Sequence, residues 1–169
     1  MTAAAAGMIV WLTGLPASGK STLAERARTA LARAGRPCVV LDGDRVRAAL
    51  GERGYDPGAR DAFYRTLAEL AAILAEQGVV VLVPATAHRR AHRAAARALA
   101  PRFVEVWVRA PVAECERRDV KGLYARARAG DAPTLPGIGV PYEAPEAPDV
   151  VADGGLDEQA VARIVALAG

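Results

Sequence analysis

The sequence predicts an α/β fold of three layers, a central parallel sheet of about five strands with helices on both faces. Two observations predict it. Short uninterrupted apolar runs alternate with segments of helical periodicity, which demands crossover connections and a parallel sheet. A glycine loop, Gly14-Leu15-Pro16-Ala17-Ser18-Gly19-Lys20-Ser21, stands between the first such run and the first such helix.

In order, Met8 to Leu12 has the length and composition of a buried strand. Lys20 to Ala34 turns helical, with Leu23, Ala27, Ala30 and Leu31 on one side and Gly35 closing it. Cys38 to Leu41 is a second strand, ending abruptly in Asp42-Gly43-Asp44. Arg60 to Gln77 reads as a long helix stopped by Gly78, and Val79 to Val83 as a third strand. His88 to Ala100 is an arginine-faced helix ended by Pro101. Phe103 to Val108 is the fourth strand, and Pro111 to Arg117 starts another helix. Val150-Val151 is a short fifth strand and Leu156–Leu167 a closing helix.

Between them, residues 118–148 break the rhythm with five of the chain's eleven prolines and a short helical stretch near Leu123–Ala129. A long connection inside a compact domain points to function, and a lid is the expectation. There is no internal repeat or coiled coil, so the 169 residues read as one domain.

Hydrophobic residues make up 52% of the chain, enough for one core, and 24% is charged, an ordinary globular surface. The net charge of +3 comes almost entirely from arginine, against only two lysines, Lys20 and Lys121. Mild basicity carried by arginine suits a small anionic partner and does not call for nucleic acid. Cys38 and Cys115 form no CxxC pair and read as buried thiols of a reducing compartment. The stretch Thr2–Gly7 has no basic n-region, and the apolar run behind it ends at a glycine loop, so neither a signal peptide nor a membrane span is expected. The expected location is the cytoplasm.

The glycine loop matches G-x-x-x-x-G-K-[ST] in full, the P-loop of ATP-binding enzymes. Its glycines let backbone N–H groups converge on phosphate, Lys20 reaches the terminal phosphates, and the Ser21 hydroxyl can ligate Mg2+ carried by ATP. The helix opening at Gly19 turns its positive end to the same place. Gly14, Ala17, Ser18, Gly19, Lys20, Ser21 and Thr22 are the nucleotide-binding candidates. Asp42 and Asp44 follow the second strand, where ligands bind in open α/β sheets. They can orient magnesium, Asp42 through water, and accept the proton of an acceptor hydroxyl, a role assigned to Asp44. The plainer alternative is a turn with an N-cap for a following helix.

Leu41-Asp42-Gly43-Asp44-x-x-Arg47, together with the run Cys115-Glu116-Arg117-Arg118-Asp119-Val120-Lys121-Gly122-Leu123-Tyr124, resembles the adenylyl-sulfate (APS) kinase family. So does the later stretch from Gly137-Ile138 to Pro141-Tyr142-Glu143-Ala144-Pro145-Glu146-Ala147-Pro148. The resemblance spans Ile9 to Val151. It implies a nucleotide-kinase-like P-loop fold, a homodimer, and transfer of phosphate from ATP to the ribose 3′-hydroxyl of APS, giving PAPS and ADP. By position, Asp44 is the catalytic carboxylate and Arg118 packs on the adenine of ATP. Arg47 and Arg60 hold the acceptor's anionic groups, Tyr55 stacks on its base, and Lys121 lies at the acceptor under the lid.

Departures from the family pattern cluster on the acceptor side, at Phe63, Leu135 and the segment Ala85-Thr86-Ala87-His88, with Thr86 and Ile138 counted among the lining positions. An asparagine, a lid phenylalanine and a Phe-Ile-Ser-Pro segment stand there in the family. Leucine for phenylalanine keeps apolar contact and loses ring geometry, worth about 1 kcal/mol. Each unpaired acceptor oxygen costs about 1–3 kcal/mol. Two acceptors therefore stay open: APS itself, or a different small anionic or nucleotide-linked compound. A nucleotide-binding module without catalysis is disfavoured by the intact Lys20, Ser21, Asp42 and Asp44, and an NTPase or GTPase switch by the lid and the lack of a guanine-reading Asn-Lys-x-Asp element. His88, Arg89, Arg90, His92, Arg93 and Arg97 read as a solvated basic helix face, with His88 set apart by its pocket position. Trp11 and Trp107 read as core.

Overall fold

The structure, a computed structural model, describes residues 6–119 and 121–169. Thr2–Ala5 of the N-terminal stretch and Val120 of the Cys115–Tyr124 run lie outside the described residues. Five parallel strands form one sheet in the order β2-β3-β1-β4-β5, where β1 is Met8–Thr13, β2 Cys38–Val40, β3 Val80–Pro84, β4 Phe103–Arg109 and β5 Val150–Asp153.

The pleat of β1 explains the layers. Met8, Val10 and Leu12 face α1 (Lys20–Arg33) and α7 (Glu158–Ala168), while Ile9 and Trp11 face α3 (Pro57–Glu76) and α4 (Arg90–Leu99). Both faces are buried, so the run carries no polar alternation. Trp11 is fully buried and its indole N–H donates to the Ala85 carbonyl at 3.2 Å. Trp107 departs from the expectation. It sits half-buried outside the apolar clusters, with the Arg109 guanidinium 5.9 Å from its ring centroid.

Two helix starts differ from the sequence reading. Asp42 caps a seven-residue helix α2 (Gly43–Ala49), accepting from the N–H groups of Asp44 and Arg45 at 3.0 and 3.2 Å. A helix that short shows no periodicity to read. Asp56 caps α3 by accepting from the Ala59 N–H, and Pro57 takes its first position, so α3 begins before Arg60.

The solvated-face reading of α4 is corrected as well. His88, His92 and Arg93 are buried at 8%, 7% and 2% exposure, since α4 packs this side against α3 and β4. Arg93 donates to Glu105 on β4 at 2.7 Å, to the Ala87 carbonyl and to the Glu143 carbonyl. His92 Nε2 lies 2.7 Å from Asp61 of α3. Arg89, Arg90 and Arg97 do stay exposed. Cys115 is buried as expected, whereas Cys38, on the edge strand, is only partly covered. Between β4 and β5 run the short helices α5 (Val112–Arg118) and α6 (Leu123–Arg128), followed by an irregular return.

Candidate functional site

At the carboxyl edge of β1 the chain turns through Gly14–Gly19 into α1. Ala17 and Gly19 take positive φ values of 62° and 103°, which fold the loop back on itself. The start of α1 has no side-chain cap and no acidic residue in its first turn, so its N–H groups and positive end remain for an anion. A Cβ on Gly14 would lie 2.5 Å from the Val108 carbonyl, and one on Gly19 2.5 Å from the Gly155 nitrogen. Glycine at these two places lets the loop nest between β4 and the β5–α7 turn.

Lys20 Nζ donates to the Gly14 and Leu15 carbonyls at 3.0 and 2.8 Å, arched back over its own loop. Loss of solvent pushes its amine down to about 8, opposed chiefly by the charge of Asp44. Ser21 Oγ donates to Asp42 Oδ2 at 2.7 Å, so one carboxylate both caps α2 and meets the P-loop hydroxyl. The capping and the functional readings of Asp42 are thus the same structure. Asp44 in the first turn of α2 pairs with Lys121 of the α5–α6 turn. That contact raises the Lys121 amine above its ordinary range. Lys20, Ser21, Asp42, Asp44 and Lys121 are therefore brought together.

A second group lies where α2 meets α3. Arg47 and Arg60 are each 7% exposed. Arg47 stacks on Phe63 at 3.9 Å and Tyr55 at 4.6 Å and donates to the Gly54 carbonyl. Arg60 donates to the Thr134 carbonyl at 2.7 Å, and its guanidinium lies 5.7 Å from the Tyr55 ring centroid. Neither guanidinium meets a carboxylate among the described residues. Two buried cations with only carbonyl partners leave charge for an external anion.

The α5–β5 connection folds over this ground. Tyr124 O–H donates to the Pro16 carbonyl at 2.8 Å, tying α6 to the P-loop. Cys115, Tyr124 and Leu135 form an apolar cluster with Leu15, Ala17 and Ile138 packed against it. Leu135 and Ile138, expected at the acceptor, thus pack with the P-loop side of the connection. Thr86 is partly covered, and its carbonyl accepts from Thr13 Oγ1 at 2.6 Å. That proton being used, Tyr142 must donate to Thr13 Oγ1, 2.9 Å away. Arg118 pairs with Glu114, and its Nη2 comes within 4.0 Å of a Cβ built on Gly154, beside the turn that touches Gly19 and Thr22.

One residue that shapes the site carries no signal a motif would show, and another acts from inside the Cys115–Tyr124 run. Tyr64 O–H accepts from the Ala87 N–H at 3.0 Å and holds the β3–α4 turn, where Ala87 takes φ 42°. Tyr64 stands four residues after Arg60, a helical spacing that alone could have drawn notice. Asp119 accepts from the Tyr124 and Ala125 N–H groups and sets the start of α6.

The arrangement can cradle a polyphosphate, present a carboxylate beside it, and hold a second anion about one helix away. Known proteins share the fold that holds it. The family described as adenylylsulphate kinase matches residues 6–153. An adenylyl-sulfate kinase of Paraburkholderia xenovorans is 45% identical over 150 residues, 88% of this chain and 84% of that protein. One of Microcystis aeruginosa is 43% identical, covering 94% of this chain and 89% of the other. The solved APS kinase CysC of Mycobacterium tuberculosis, in complex with AMPPNP and APS, superposes with a TM-score of 0.88 at 41% identity, over 96% of this chain and 98% of its own. Agreement of this kind along nearly the whole fold, P-loop and α5–β5 connection included, has one meaning: the chain belongs to the adenylylsulphate kinase family.

Proposed function

We propose that this chain phosphorylates the ribose 3′-hydroxyl of adenylyl sulfate with ATP, releasing PAPS and ADP. The observation that carries the reading is the placement of Asp44: it stands two residues beyond the carboxylate that meets the P-loop serine, pairs with Lys121, and shares its short helix with Arg47. Supporting it are the relatives named adenylyl-sulfate kinase and a solved relative that holds AMPPNP with APS.

In this reading residues 1–169 act as one domain and the segment 118–148 is a lid. The triphosphate of ATP lies on the backbone of Gly14–Ser21 and the side of Thr22, with Lys20 swung from its loop carbonyls to the terminal phosphates. Arg118 covers the adenine next to the Gly154–Gly155 turn. The acceptor sits with its anionic groups on Arg47 and Arg60 and its base on Tyr55, walled by Phe63 and Thr86. Asp44 releases Lys121 to the acceptor and takes the hydroxyl proton as the oxygen attacks the γ-phosphorus and the bridging bond to ADP breaks.

The residues present fit a magnesium ion. Ser21 Oγ and one Asp42 carboxylate oxygen already share a point beside the loop, and Mg2+ takes few protein ligands, leaving the rest to phosphates and water. Bound there, it would offset charge on the β- and γ-phosphates. A homodimer and a cytoplasmic location complete the proposal. Supporting the location, both cysteines are free thiols. No helix among the described residues is long and apolar enough to cross a membrane.

A coupled ADP-release assay at micromolar APS tests the reading. Acceptor-dependent turnover is the expected result. Turnover no faster than the acceptor-free background would move the activity to another small anionic acceptor, a reading the altered wall at Phe63, Ala85, Ala87 and His88 favours.

A further inference from the structure

We propose that His88 is a specificity-determining residue of the acceptor chamber, donating a hydrogen bond from Nε2 to an anionic oxygen held beside Arg60. The inference rests on the acceptor reading above. His88 leaves β3 just after the strained Ala87, and its backbone is held in place. The Ala87 N–H donates to Tyr64, the Ala87 carbonyl accepts from Arg93, and the His88 carbonyl accepts from the Glu143 N–H at 2.8 Å. Its ring packs edge-on against His92 at 5.4 Å, and His92 packs on Tyr64 at 4.6 Å.

The ring is 8% exposed, yet neither of its nitrogens has a hydrogen-bond partner among the described residues. Nδ1 is sealed from solvent, so the nitrogen open to a ligand is Nε2. A buried polar group without a partner is a liability unless something outside the protein completes it. The guanidinia of Arg60 and Arg89 act on His88 alongside its burial, with Glu143 the opposing carboxylate. Burial and these cations hold the imidazole neutral, pushed down to about 4. A neutral ring carries one proton, and in the proposed arrangement it sits on Nε2, the nitrogen a ligand can reach. His88 then adds an uncharged donor to the two guanidinia, Arg47 and Arg60, which suits a phosphate or sulfate with several oxygens to satisfy.

The test loads wild-type, H88F and H88Q protein with ADP to fill the P-loop. Each is titrated by calorimetry with APS and, separately, with inorganic pyrophosphate. Phe keeps the ring without the donor, and Gln places an amide N–H near the Nε2 position. Expected is a loss of tenfold or more in anion affinity for H88F, recovery to within about threefold in H88Q, and an unchanged KM for ATP. If H88F binds both anions as tightly as wild type, the inference is overturned. Should wild type ignore APS yet bind pyrophosphate in a His88-dependent way, the acceptor reading fails and the His88 site stands. If wild type binds neither anion, both fail. Where H88F does not fold, the wild-type protein decides. The 15N resonance of His88 Nε2 must move on saturation with whichever anion binds, and an unmoved resonance rejects the proposal.

Discussion

Lys20 spends two of its three donors on its own loop until phosphates arrive, and its low proton affinity makes nucleotide binding pH-linked. In the free protein the amine loses its proton through about pH 8, while polyphosphate raises that value by opposite charge. Affinity for ADP should therefore fall as pH rises past 8, with proton uptake on binding in the alkaline range. Calorimetry in two buffers of different ionisation enthalpy reads this directly, and Lys20→Ala should abolish the uptake. The same substitution should slow the chemical step at least about a hundredfold, the scale of one lost electrostatic contact. Asp44→Asn should bind ATP normally and lose turnover; a wild-type rate would remove Asp44 as the base. These residues were legible because the P-loop pattern dictates backbone geometry as well as chemistry. The burial of His92 and Arg93 was not, because a charged residue reads as solvated until its partners, Asp61 and Glu105, are known.

At the scale of elements, the α5–β5 connection is seated by a few close contacts rather than by a large core. A Cβ on Gly139 would fall 1.6 Å from the Pro133 carbonyl, a clash with backbone that no rotamer relieves. Gly139→Ala should open this turn while the sheet stays folded. Trypsin should then cut faster after Arg126 and Arg128, with little change in the thermal midpoint. Equal cleavage rates would show that the turn does not seat the segment. Tyr124→Phe should weaken the tie to Pro16 by about 0.5–1.5 kcal/mol, the worth of one hydrogen bond, seen as raised KM values before any loss of stability. Strands were readable as apolar runs and long helices as periodic ones. Helix α2 was hidden by its length, and the early start of α3 lay in its Asp56-Pro57 cap, three residues upstream of the apolar pattern.

For the whole molecule, Arg93 links β4, the β3–α4 turn and the return of the connection through one buried guanidinium. Arg93→Ala leaves Glu105, 13% exposed, with only the longer 3.9 Å contact to the exposed Arg97 and should lower stability by about 3 kcal/mol in urea unfolding. A shift under 1 kcal/mol would mean that the ion pair contributes little beyond its desolvation. The strand order places β1 centrally, with β3 on one side and β4 on the other, so the P-loop opens at the point where the chain reverses direction across the sheet. By itself the sequence determined the layers, the phosphate cradle and the family pattern, because each is written in neighbouring residues whose backbone geometry is local. Only the tertiary structure decided which charges are buried, that Asp42 caps a helix while meeting Ser21, and that Lys121 reaches Asp44. Those pairings join residues 21 and 77 positions apart in the chain, and no local rule of spacing brings such distant side chains face to face.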